Sequence, residues 1–165
     1  MANIDIHPDK PVLVPHNIHW GAAVSAGIVG GLVFAVLEMV MVPLVLGQSP
    51  WLPLHMIGAI ALGPSAMVPP DTFDLKIVST AVVLHVALAI LYAIVLAFIV
   101  ARLELGTAVL VGAIYGLVLY GINFYGFTKW FPWFADHRDW IAISTHVVQG
   151  ALWAWLYKLW ATRID

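Results

Sequence analysis

The sequence predicts an all-α integral membrane protein, a bundle of four transmembrane helices with one additional half-helix. Composition is the first observation behind this reading. Of 165 residues, 62% are hydrophobic and only 10% charged, too few to cover a soluble core. The second is a set of long apolar runs, of which 77–100 is the clearest, with no charged residue and a single histidine, His85. At about 1.5 Å per residue such a run crosses the roughly 30 Å hydrocarbon core of a bilayer. The third is a shorter apolar run, 51–62, bracketed by Pro50, Pro53 and Pro64.

In chain order, residues 1–18 form an extended polar lead, because Pro8, Pro11 and Pro15 bias their predecessors away from the α region. The membrane domain then occupies 19–162. Its first span, 20–46, carries one charge, Glu38, and Pro43 should kink its last turn. The run is too long for the core of a signal peptide and lacks a small-residue cleavage site, so it belongs in the mature protein. The run 51–62 is too short to cross and reads as a re-entrant or interfacial helix carrying His55.

Pro69-Pro70-Asp71-Thr72-Phe73-Asp74 supplies a turn and a helix N-cap for the second span, 77–100. Arg102, Glu104 and Gly106 make a tight connection to the third span, 108–127. The aromatic segment from Lys129 to Asp136 suits the headgroup region, and the fourth span covers 140–160. Both termini then share a side with the Arg102 turn. Lys10, Arg102, Lys158 and Arg163 stand against Lys76, Lys129 and Arg138, which places the termini in the cytoplasm by a margin of one.

An internal repeat organises the polar residues. Gly27 and Gly31 precede Glu38 with the same spacing by which Gly112 and Gly116 precede Asn123. His85-Val86 is followed by Ala89, Leu91 and Tyr92, and His146-Val147 by Gly150, Leu152 and Trp153, at matching offsets. Spans one and two would therefore repeat as spans three and four, a parallel repeat of helix pairs about a pseudo-two-fold axis along the membrane normal. Glycines four apart share a face with the polar residue seven further on, so Glu38 and Asn123 should point into the bundle. Counted from the non-terminal side, Glu38, His85, Asn123 and His146 all fall within roughly 6 to 12 Å of that surface. Gln149 lies one turn below His146, and His55 on the half-helix is placed to act as a lid.

Such a layer admits several chemistries. Glu38, His85 and His146 would make a first shell for iron, copper or zinc, oriented by Asn123 or Gln149. His85 and His146 could instead be axial ligands of a haem b, with Ala89 and Gly150 leaving room for the macrocycle. A proton or cation relay through Glu38 is a third possibility. A fourth is that the cluster only bonds to itself and holds the bundle in register. Net charge is −2 and there is no cysteine, which leaves no basic surface for nucleic acid, no disulfide framework and no thiolate chemistry. The glycines lie inside spans, not after a strand, so they are no phosphate loop, and no soluble-enzyme motif is present.

Leu37-Glu38-Met39, Ser49-Pro50-Trp51-Leu52-Pro53, Met56-Ile57-Gly58-Ala59-Ile60, the segment from Pro69 to Asp74, and Ile122-Asn123-Phe124-Tyr125-Gly126-Phe127 resemble a group of small bacterial inner-membrane proteins, some of them labelled sodium:proline symporter. The likeness covers most of the chain after residue 18 and implies a bacterial inner-membrane location. The expected function is a small accessory or cofactor-binding subunit of a bacterial redox or respiratory complex, not an enzyme on its own. A small oligomeric transporter or ion channel and a purely structural subunit are the alternatives. The expected partners are the lipid bilayer and other membrane subunits or a second copy.

Overall fold

The computed structural model describes residues 18–69 and 72–161. The extended lead expected at 1–18 lies, apart from Ile18, outside the described residues, as do Pro70 and Asp71 of the expected turn. Every regular element among the described residues is helical: α1 (Trp20–Met41), α2 (Leu52–Leu62), α3 (Leu75–Val100), α4 (Leu105–Gly121) and α5 (Trp140–Ala161), joined by short π and 3-10 turns. Three stretches are long and apolar enough to cross a membrane, Trp20–Leu46, Leu75–Val100 and Leu105–Lys129. Large apolar side chains such as Leu32, Val36, Val83, Leu110 and Ile114 lie exposed along them. Lipid solvates such a surface, whereas in water it would drive association.

α1 continues into a π-helical turn, Val42–Leu46, with Pro43 at its start. Proline has no N–H to donate and its ring crowds the preceding turn, so the ladder widens there. The segment closes at Gly47, whose φ of 66° is a left-handed conformation that glycine adopts without strain. α2 is the expected half-helix. It lies on the start of α3, where Gly58 is the contact: a Cβ there would come within 2.9 Å of the Ile77 side chain. Asp74 caps α3, its carboxylate accepting from the Ile77 N–H at 3.0 Å.

The bundle core is built largely of alanine. Ala22, Ala23 and Ala26 of α1 meet Ala89, Ala93 and Ala97 of α3 and Ala154 of α5, with Trp153 and Leu96 as the large fillers. Small residues let helix backbones approach, and van der Waals contact then replaces the hydrophobic drive that lipid does not provide. The glycine pairs mark the closest approaches. A Cβ on Gly27 would stand 2.6 Å from the Ile90 Cα, and one on Gly31 would stand 2.7 Å from the Ala89 Cβ, so this pair seats α1 on α3. Gly112 faces the Gly150 carbonyl and Gly116 the His146 carbonyl, so the second pair seats α4 on α5.

A second, smaller cluster holds α2 to the other end of the bundle. Leu52 and Met56 pack with Tyr120, Phe124 and Ala142, and Trp133 and Phe134 close over them. The aromatic segment is thereby fixed rather than merely lying at a surface. Trp133 Nε1–H donates to the Met56 carbonyl at 3.0 Å, and Arg138 Nε–H donates to the Phe124 carbonyl at 2.8 Å. The Arg138 guanidinium also stands 4.2 Å above the Tyr125 ring.

Candidate functional site

α1, α3, α4 and α5 enclose a cavity of ≈ 340 Å³, which α2 and the aromatic segment wall on one side. It runs from Gln48, His137 and Asp139 at the loop end down to Tyr92 and Trp153 inside the bundle. Gln48 is exposed and Trp153 almost wholly buried, so the cavity opens at one end and is closed by the indole at the other. A space of this size suits a small organic molecule.

All four residues expected to form the layer, Glu38, His85, Asn123 and His146, line this cavity, as does Gln149 one turn below. His55 does not, which corrects its expected role as a lid. On the short α2 helix it points back toward its own connection to α3, where it is 1% exposed. Its Nδ1 lies 2.7 Å from the Ala66 carbonyl and its Nε2 3.0 Å from the Thr72 carbonyl. It is a staple for that connection.

The hydrogen bonds of the other five define what each has left to offer. His146 Nδ1–H donates to the Ala142 carbonyl one turn back at 2.7 Å, which fixes the tautomer and leaves Nε2 to accept from the Asn123 amide at 3.3 Å. Phe34, Tyr120 and Phe124 surround this ring edge-on, with centroids 4.9, 5.9 and 5.7 Å away. His85 Nε2–H donates across the helix interface to the Gly31 carbonyl at 2.9 Å. Glu38 accepts at Oε1 from the Thr145 hydroxyl at 2.5 Å, linking α1 to α5. The side chain of Gln149, a residue 6% exposed, makes no hydrogen bond to the protein.

Two functional side chains were missed in the sequence. Thr145 is buried and is the partner of Glu38. Its adjacency to His146 was the available signal, but threonine in an apolar helix most often bonds its own backbone, as Thr145 also can through the Ile141 carbonyl at 2.9 Å. Phe34 stacks on His85 at 5.4 Å and meets His146 edge-on at 4.9 Å, so one phenyl ring touches both imidazoles. Thr145→Val should cost about 1 to 3 kcal/mol by leaving a Glu38 oxygen buried and unpaired. A chemical or thermal unfolding curve in detergent measures this, and Thr145→Ser should restore most of the loss.

These residues do not fit the metal or haem expected from the sequence. Among the described residues no three histidine, aspartate or glutamate side chains gather as a metal shell. The lone pair of His146 Nε2 is taken by Asn123, so His85 Nδ1 is the one imidazole lone pair left in the layer, short of the pair that axial haem ligation needs. The room that Ala89 and Gly150 were expected to leave for a macrocycle is filled by neighbouring helices. Ala89 abuts Gly31 and Gly150 abuts the Gly112 carbonyl.

At the mouth, burial holds the His137 imidazole below its ordinary value of 6.5, against the opposing pull of Asp139 and Asp136. A lowered native value means that the unfolded chain binds the proton more tightly. Stability from this group is complete above 6.5 and is lost as pH falls below that. Thermal unfolding from pH 7.5 downward should show this decline, and His137→Gln should flatten the part that begins near 6.5.

Comparison with family models, curated proteins and solved structures finds no match.

Proposed function

We propose that this chain is a small-molecule-binding protein of the bacterial inner membrane, in which the polar layer holds the head of an organic amphiphile and the apolar walls hold its body. The observation that carries this reading is Gln149. The residue is 6% exposed, and its carboxamide faces an apolar cavity with no hydrogen bond from the protein, so the amide needs a partner inside that cavity. In this reading the chain is an accessory, cofactor-binding subunit of a membrane complex, with an organic cofactor in place of the metal or haem.

The supporting architecture is the four-span bundle with termini in the cytoplasm. α5 counts as its fourth span because Thr145, His146 and Gln149, which dilute its apolar character, are all buried against the other helices. The two glycine-seated pairs, α1 on α3 and α4 on α5, support a parallel repeat. The resemblance to small bacterial inner-membrane proteins supports the location. A solute carrier, acting as a homo-oligomer, is the second reading, favoured by a cavity that opens at one end and holds an intramembrane carboxylate.

The test is extraction and mass spectrometry of protein purified gently from its native membrane. Wild type should carry close to one equivalent of a small organic molecule. Gln149→Leu, which breaks no protein hydrogen bond, should fold at least as stably and lose it. Wild-type protein carrying only bulk phospholipid would overturn the reading.

A further inference from the structure

The chemistry left exposed in the cavity selects among organic ligands. No lysine or arginine lines it, while Glu38 stands deep inside and Asp139 at the mouth. Asp139 already spends one oxygen on the Ala142 N–H at 2.9 Å, at the start of α5. Glu38 spends one on Thr145 and keeps the other. His85 keeps Nδ1, which must accept because Nε2 is the donor to Gly31. Asn123 keeps its carbonyl oxygen and one N–H, because the other donates to His146. One of the acceptors left in the layer is a carboxylate, and no lysine or arginine in the lining pairs with it.

The walls have the same preference. Phe124, Phe127, Phe131 and Phe134 line the cavity around and above the polar layer, and Tyr92 lines it below. Aromatic faces carry negative potential and attract cations, more strongly where water is excluded. A carboxylate in an apolar span is itself stabilised by a positive partner and penalised without one.

We propose that the cavity takes a lipophilic amine, its ammonium group held by Glu38 with His85 and Gln149 accepting the remaining N–H groups, and its hydrocarbon or aromatic body lying against the phenylalanine wall. This rests on the cavity being a ligand site and adds the chemical class of the ligand. Gln149 serves through its carbonyl oxygen, and Glu38 supplies the selectivity for charge.

The experiment compares two probes of one skeleton, 3,3-diphenylpropylamine and 3,3-diphenylpropan-1-ol, by equilibrium dialysis against the full-length protein in mild detergent at pH 7. The amine is protonated and the alcohol neutral, so shape and oiliness cancel. The amine should bind roughly tenfold or more tightly than the alcohol. Glu38→Gln should remove most of that difference by weakening the amine, with alcohol binding little changed. The wild-type comparison stands by itself should Glu38→Gln fold poorly. Equal binding of the two probes, or a preference that survives Glu38→Gln, overturns the amine assignment. The ligand-site reading would still stand if the organic molecule extracted from wild type is lost in Gln149→Leu. Binding of neither probe overturns the assignment as well, and an extract holding only phospholipid would take the broader reading with it.

Discussion

Gly150→Ala should be among the most damaging single-methyl changes available in this chain. A Cβ at Gly150 would be driven into the Gly112 carbonyl oxygen and within 2.8 Å of the Gly116 nitrogen. Both are backbone atoms of α4, so no side chain can swing aside, and α4 and α5 must separate along their contact. Overpacking commonly costs about 1 to 3 kcal/mol, and against rigid backbone the upper end or more is expected. Gly116→Ala, whose Cβ would strike the His146 carbonyl, should behave alike. Gly106→Ala is the control. It lies in the first turn of α4 with nothing within 4 Å, and should be neutral or stabilising by up to about 1 kcal/mol. Melting temperatures of the three variants in one detergent decide the point. Equal melting of Gly150→Ala and Gly106→Ala would mean that α4 and α5 do not approach so closely. The contact also matters for the site, because it holds His146 and Gln149, which precede Gly150 within one turn of α5, in register with Asn123.

His55→Ala should be the second severe change, and for a different reason. The ring is almost fully buried and is the sole bridge from α2 to the carbonyls of Ala66 and Thr72 among the described hydrogen bonds. Truncation leaves a void together with a buried carbonyl that loses the ring's one N–H donor, a combined cost of about 3 kcal/mol. The loss should be local at first, since α1, α3, α4 and α5 keep their own core. Limited proteolysis should therefore cut the connection between α2 and α3 faster in the variant while the rest of the bundle resists. His55→Gln, which retains an N–H donor, should recover part of the protection. Were His55 instead a lid over the cavity, His55→Ala would change ligand retention and leave the connection intact.

The elements that water and lipid dictate were legible in the sequence. Apolar runs of span length can bury their backbone polarity only as helices, and the run at 51–62, fenced by prolines, could only be shorter, as α2 is. Pro43 announced the distortion at the end of α1. The equivalent π turn after α4, Ile122–Gly126, has no proline and carried no such signal. The glycine pairs announced close packing, and the polar residues following them do reach one cavity. Sequence spacing could not say what fills the space beside a small residue. The gaps at Ala89 and Gly150 belong to the partner helices, which is why a haem does not fit there. The direction of His55 was equally hidden, because a short helix can present a residue either to the bundle or to its own loop, and only the positions of the Ala66 and Thr72 carbonyls decide.

The central claim, that the cavity bounded by Glu38, His85 and Gln149 holds a small organic molecule, is tested most directly by an experimental density map of the protein purified from its native membrane without added ligand. The account predicts compact density inside the cavity, within hydrogen-bonding distance of the Gln149 carboxamide, with its polar end toward Glu38 and its apolar end along Phe124 and Phe127. A cavity collapsed by inward movement of α2, or filled by a continuous acyl chain with no group bonded to Gln149, would contradict it.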